Sequence, residues 1–357
     1  MNIFRKFDYS QSVFKSEQVF AADFMPDELV HRETEMNNLA SALSPLVKGA
    51  RAPSIILHGP SGTGKTTMVK HILRQLKEAT NRVHCVHINC MEQGYRYSVL
   101  TSILSSLGYQ VSRRGRSADE IIAYMVEMLK KEKKTLVAGL DDIDLLVSQE
   151  KNAMLYDFLR MRENFGIDAV AIALTNKEDF IMGLDRRIRS SLLQSVINVN
   201  PYTPAQLRDI LAERAKIGFA PGACEEDAIG LCAGFAAKNG GDARLGINML
   251  WLAGKEADKQ ESGKVLVSHA ETVKGNSLSI LRSEREQNLS KEEKIVLEAI
   301  RKAGQIQSGI LYSKLDLNER SVRNYLAKLE ELGFVNSIQI NSKDGNTRIF
   351  RPSNGRA

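Results

Sequence analysis

The chain has 357 residues, a mass of 39.7 kDa and a formal net charge of +6, with 43% hydrophobic and 26% charged residues. That composition supplies apolar material for two or three cores and excludes collagen-like, disulfide-stapled and wholly disordered chains. A mean hydropathy of −0.25 and apolar runs of about five residues (136–140, 170–174) fall short of the roughly 20 residues a membrane helix needs.

Residues 1–10 mix Arg5, Lys6 and Asp8 with scattered apolar side chains, which predicts no secretory signal and a cytoplasmic protein. The four cysteines, Cys85, Cys90, Cys224 and Cys232, form no CxxC pair. In HCVHINC, only Cys85 and His87 of the set His84, Cys85, His87 and Cys90 share a strand face, and no second ligand pair follows. Reduced thiols in a core are therefore expected, not a metal. The pI of about 9.0 permits a polyanionic partner.

After Glu33, Met36, Leu39, Leu43, Leu46 and Val47 recur at helical spacing until residues 51–53 break the pattern. Residues 54–58 read as a short buried strand, followed by a Gly-rich turn and a helix over 66–78. Strands are predicted at 83–88, 135–140 and 169–175. Helices are predicted at 97–107, 118–131 and 152–163, with a polar loop over 109–117. Apolar strands alternating with helices predict an α/β fold with a parallel sheet covered by helices. Past residue 200 the strand signal fades, and 204–217, 225–237 and 242–258 read as helices. Residues 274–279, polar with Gly and Ser, read as a linker. Residues 280–357 give helices over 291–302, 308–314 and 319–332, then a hairpin (334–340, 347–351) joined by 341–346 with Asp344-Gly345 at its turn. The expected domains are thus a nucleotide-binding base (1–200), a helical lid (201–275) and a C-terminal winged helix (280–357).

Gly59-Pro60-Ser61-Gly62-Thr63-Gly64-Lys65-Thr66 matches GxxxxGKT between a predicted strand and a predicted helix, with Thr67 following on that helix. The glycines let backbone N–H groups curl round phosphates, Lys65 supplies a point charge, Thr66 offers a hydroxyl to Mg²⁺, and the helix N-terminus favours the anion. Strand 135–140 delivers Asp141 to hold Mg²⁺ and Asp142 to polarise the attacking water. Asn176, at the end of strand 169–175, stands where a side-chain amide orients water against a γ-phosphate. The stretch 184–191 (LDRRIRSS) is strongly basic and suits either a reach to a neighbour's γ-phosphate or a solvated helix face. Asp242 is a natural N-cap, and Arg244 in the first helical turn is electrostatically unfavourable unless a phosphate faces it.

The order of P-loop, LDDID, TN, LDRRIRSSL and GDARLGINML, with the opening segment 23–33 (DFMPDELVHRE), resembles the AAA+ ATPases. It is most similar to archaeal replication initiators of the origin-recognition-complex and cell-division-cycle-six family, over residues 20–351. The resemblance implies that Leu29, Val30 and Arg32 lie beside the adenine, and that ATP or ADP with Mg²⁺ is the cofactor. Thr66 and Asp141 would hold the metal, and Asp142 would activate water. Its shorter carboxylate, where the wider family has Glu, implies slow hydrolysis. Asn176 corresponds to the first sensor and Arg244 to the second. Arg187 corresponds to the trans-acting arginine, with Arg186 and Arg189 as alternatives because Arg186 replaces a usual Pro. An insertion after the second strand, about 91–117, would touch duplex DNA through Tyr95, Arg96, Arg113, Arg114 and Arg116.

Residues 280–357 hold 14 Lys and Arg against 10 Asp and Glu, so most of the basic excess lies there. In the third helix, Val322, Tyr325, Leu326, Leu329 and Leu332 form an apolar stripe. Arg320, Arg323, Asn324 and Lys328 lie largely away from it, as in a major-groove recognition helix. Lys343, Arg348 and Arg351 on the hairpin would meet phosphate or the minor groove. The expected function is an ATP-switched initiator, nucleoid-associated, that binds origin duplex DNA and helps load the replicative helicase. Its further partners would be copies or paralogues of itself, with no membrane. Rival readings are an initiator paralogue acting as a DNA-binding regulator and a branch-migration-type AAA+ motor.

Overall fold

The structure is a computed structural model that describes residues 12–109, 117–150, 152–177, 179–192, 195–287, 289–315, 317–331, 333–342 and 345–353. The chain divides into two compact units, residues 1–270 and 271–357. Among the described residues no helix is long and apolar enough to cross a membrane.

The first unit begins with α1 (Glu33–Leu43), β1 (Ile55–His58), α2 (Lys65–Ala79) and β2 (Val83–Asn89). There follow α3 (Cys90–Gln93), α4 (Arg96–Ser106), α5 (Ala118–Glu132), β3 (Thr135–Asp141), α6 (Ile143–Glu150) and α7 (Ala153–Phe165). β4 (Ala169–Thr175), α8 (Phe180–Gly183), α9 (Arg186–Leu192) and β5 (Val196–Asn198) complete the base. The strands form one parallel sheet in the order β2-β3-β4-β1-β5. Period-2 alternation splits each apolar strand between two cores. Leu136, Ala138, Leu140, Ala171, Ala173 and Ile56 pack with Ile103, Met125 and Phe158 on one face. Val137, Val170, Ile172, Leu174, Ile55 and Leu57 pack with Leu39, Met68 and Leu73 on the other. Short continuous apolar strands therefore belong to a sheet buried on both faces. The carboxyl ends of β1, β3 and β4 lie side by side, where open α/β sheets bind ligands.

The lid comprises α10 (Pro204–Gly218), α11 (Glu226–Lys238) and α12 (Ala243–Lys259). Thr203 and Gln206 form a capping box over α10, with Pro204 in its first turn. A strap from the N-terminal segment binds the lid. Asp258, 4% exposed, accepts from Val13 N and Ser12 Oγ at 2.7 Å each. Lys15 and Ser16 N–H groups both donate to Gly218 O. Phe14 and Phe20 pack on Phe219. Gly254 leaves room for this strap, because a Cβ there would come within 2.4 Å of Phe14 Cζ.

One expectation needs correction, and some elements were not expected. Residues 274–279 are not a linker: they lie within α13 (Val267–Gln287), where Ser277 is buried and bonds back to Val273 O. One glycine among helix-compatible neighbours is too weak a breaker. β5 was not foreseen, because it is three residues long and only partly buried. α3 and α6 were likewise not foreseen.

The second unit holds α14 (Lys291–Ala303), β6 (Ile306–Gln307), α15 (Ser308–Lys314), α16 (Glu319–Glu331), β7 (Val335–Ser342) and β8 (Gly345–Pro352). A sheet in the order β6-β8-β7 closes the three helices, the element order of a winged helix. Val322, Leu326 and Leu329 of the predicted stripe are buried with Val296, Ile300 and Phe350, Tyr325 packs against them, and Leu332 lies outside the described residues. The hairpin is tighter than expected: pairing runs on through Asn341–Asn346 to Ser342–Gly345.

Candidate functional site

The phosphate loop leaves β1 and is held by backbone on both sides. Gly59 N donates to Thr175 O at 3.2 Å, and Val199 N donates to His58 O at 2.7 Å. A Cβ on Gly59 would strike Val199 O at 2.2 Å. Gly62 (φ +71°) and Gly64 (φ +87°) are left-handed, the conformation that favours glycine. Pro60 and Ser61 are exposed, whereas Thr63 is fully buried and donates to Pro60 O at 2.9 Å. Lys65 opens α2, with the half-buried Thr66 and Thr67 behind it. Its ammonium donates to Gly59 O and Pro60 O at 2.7 Å each. Burial pulls its pKa down to about 8, helped by the Arg244 charge and opposed by Asp141, Asp142 and Asp242.

Thr66 Oγ1 donates to Asp141 Oδ2 at 2.5 Å, joining the start of α2 to the end of β3. Two hard oxygens side by side are a donor set that magnesium accepts. Burial works to raise the Asp141 pKa, yet His87, Thr66 and the Lys65 charge bring it below the ordinary carboxylate value. Asp142 goes the other way: burial first, then the Asp141 and Asp144 charges, push it up. Its backbone is left-handed at φ +51°, which Asp tolerates better than most residues. The sequence reading missed Asp144, the third acid of LDDID. Only 6% exposed, it accepts from Thr175 Oγ1 at 3.3 Å and pairs with Lys177 at 3.0 Å. It thereby ties the start of α6 to the strand that ends beside the exposed Asn176.

Leu29 packs beside Gly64 and Val30 is half-buried. Arg32, expected at the nucleotide, commits its guanidinium to protein. Nε donates to Thr63 O at 2.9 Å, Nη2 to Asn200 O at 2.7 Å and Nη1 to Glu35 at 3.3 Å, with the group stacked 3.8 Å over the Tyr202 ring. It braces the phosphate loop from behind.

The lid reaches the same loop. Asp242 caps α12 by accepting from Arg244 N at 2.8 Å, and Ala243 N donates to Gly62 O at 3.1 Å. The Arg244 guanidinium donates to Ser61 Oγ and lies 3.5 Å from Asp242. Arg187 stands exposed on α9, anchored by buried Ile188 and Leu192, and its carbonyl accepts from Ser190 and Ser191.

On the second unit, Arg320 and Asn324 are exposed on α16. Arg323 is held by Glu319 at 2.6 Å, and Lys328 by the buried Glu293 at 2.8 Å. Arg348 lies 4.0 Å from Glu330. Arg113, Arg114, Arg116 and Lys343 lie outside the described residues. In the insertion, Tyr95 is exposed, but Arg96 is turned to a bidentate pair with Asp157 at 2.6 and 3.0 Å.

A parallel-sheet base with a P-loop after β1, two acids at the end of β3, one strand removed, and a lid arginine over the loop define the AAA+ ATPase class. The AAA ATPase domain family matches residues 28–171, and the Cdc6 AAA+ ATPase-type lid domain matches residues 208–275. The chain is 33% identical to ORC1-type DNA replication protein 1 of Methanothermobacter thermautotrophicus, over 98% of this chain and 96% of that one. It is 32% identical to the protein of the same name from Archaeoglobus fulgidus, over 98% and 90%. The structure of the Aeropyrum pernix ORC1 protein in complex with DNA matches with a TM-score of 0.75 and 28% identity, over 95% of this chain and 94% of that one. The chain belongs to the archaeal ORC1/Cdc6-type DNA replication proteins, the family of origin-recognition AAA+ initiators.

Proposed function

We propose that this chain is an ATP-switched initiator that binds origin duplex DNA and helps load the replicative helicase. The observation that carries the reading is the contact of Arg244 with Ser61, which couples the lid to the phosphate loop in a chain of this family. The A. pernix relative was solved with DNA, which supports duplex binding here.

When bound, ATP with Mg²⁺ supplies a transferable phosphoryl group and a metal that neutralises its charge. Lys65 exchanges two loop carbonyls for phosphate oxygens, and Arg244 exchanges Ser61 for the same anion, which sets the lid angle. Thr66 and Asp141 would hold the magnesium. Asp142 and Asn176 orient water, and the short Asp142 carboxylate keeps hydrolysis slow. Leu29 and Val30 flank the base, with Arg32 supporting from behind. Arg187 completes the site of a neighbouring copy or paralogue. Hydrolysis resets the switch and drives no motor.

Arg320, Arg323, Asn324 and Arg348 meet the duplex, with Lys343 and the loop arginines Arg113, Arg114 and Arg116 as further contacts. The experiment is a salt titration of duplex affinity. Arg348→Ala should weaken every duplex and lower the slope of log affinity against log salt by about one. Lys328→Ala should mainly lower the melting temperature, because it strands the buried Glu293. An unchanged slope for Arg348→Ala would remove that hairpin arginine from the DNA interface.

A further inference from the structure

We propose that His87 is a positioning residue for Asp141, holding its carboxylate in the rotation that faces the metal. The inference rests on the reading of Thr66 and Asp141 as the magnesium ligands.

His87 lies on the edge strand β2, paired in register with Gly139, and Asn89 is paired with Asp141. Side chains two apart on a strand share a face, so His87 and Asp141 look to the same side, towards α2. Gly139 lies beside the ring: a Cβ there would come within 2.6 Å of Val69 Cγ1 and 3.3 Å of Leu73 Cδ1 on α2, and would only touch His87 Cδ2, at 3.4 Å. His87 Nε2 then stands 3.5 Å from Asp141 Oδ2, the oxygen that already accepts from Thr66. The nitrogen is buried, and among the described residues it has no hydrogen-bond partner. Both side chains are largely buried, 19% and 13% exposed. They line a cavity of about 380 Å³ together with Thr66 and Lys70.

One donor leaves a carboxylate free to turn about its Cβ–Cγ bond. A second donor from another strand fixes it, and an outer partner of this kind governs how well a carboxylate serves a metal. With its hydrogen on Nε2, His87 would donate to Asp141 Oδ2, 3.5 Å away, and so hold the carboxylate that would serve the metal. This gives His87 of the HCVHINC stretch a role that is neither ligation nor packing.

The test compares wild type with His87→Ala, His87→Phe and His87→Gln in the full chain. Mn²⁺ uptake by the ADP complex is read by electron paramagnetic resonance, and ADP affinity in EDTA by fluorescence. Ala and Phe should weaken Mn²⁺ binding about tenfold, with ADP affinity in EDTA unchanged, and Gln, which keeps an N–H donor, should restore most of the loss. Unchanged Mn²⁺ affinity in His87→Ala would overturn the proposal. So would equal losses in Ala and Gln accompanied by weaker ADP binding in EDTA, the mark of a packing role. A wild-type complex that takes up no Mn²⁺ would instead overturn the magnesium reading itself.

Discussion

The guanidinium of Arg244 donates to the hydroxyl of Ser61, joining the first turn of a lid helix to the phosphate loop across 183 residues of sequence. A cation at a helix N-terminus opposes the helix dipole, and the Asp242 cap offsets part of that cost. The dipole and the loop both favour an anion at this point. Arg244→Ala should therefore weaken nucleotide binding about tenfold, the lower end for a charge-assisted hydrogen bond at an exposed group. ATP should protect the lid of the wild type from protease, and Arg244→Ala should lose that protection. Calorimetry and limited proteolysis read the two effects separately.

Asp142 combines a raised pKa with a left-handed backbone. Asn tolerates that backbone as well as Asp does, so Asp142→Asn isolates the chemistry. Single-turnover hydrolysis should fall about 10²-fold or more, with ATP affinity within about threefold of wild type. Normal turnover would remove Asp142 from the water-activating role. Asp142→Ala should lose activity similarly and melt lower, by the strain of a left-handed alanine, about 1 kcal/mol.

Lys65 sits at a pKa of about 8 in the fold, against 10.5 ordinarily. The unfolded chain holds this proton over a window, roughly pH 8 to 10.5, in which the folded chain has lost it. Stability from this group therefore rises with pH through that window. Nucleotide binding should run the other way, because phosphate restores the ammonium. At pH 8 binding should take up about half a proton, and affinity should fall as pH rises further. Calorimetry in buffers of different ionisation enthalpy measures the uptake, and its absence in the wild type would mean that Lys65 does not change protonation on binding.

Much of this was legible because the governing signals are local. Apolar strands such as residues 136–140 read as buried on both faces, and the GxxxxGKT loop fixed where the site lies. What escaped depends on contacts distant in sequence. β5 is too short to carry a pattern, and its place is set by pairing with β1. The resemblance sets Arg32 beside the base, but no local spacing announces its contacts with Thr63 O, Asn200 O and the Tyr202 ring. The strap on the lid depends on Asp258, some 245 residues from Val13, and no local spacing announces such a pair. Asp144 was visible in LDDID, but its link to Thr175 and Lys177 was not.

The central claim is that nucleotide state governs recognition of a defined duplex. The most direct measurement is selection from a random duplex pool by the full chain, with ATP and with ADP, at about 150 mM salt, where non-specific phosphate binding no longer dominates. The account predicts enrichment of one defined motif, with a different yield in the two nucleotides. Salt-sensitive binding to every duplex, with no motif enriched in either nucleotide, would contradict it.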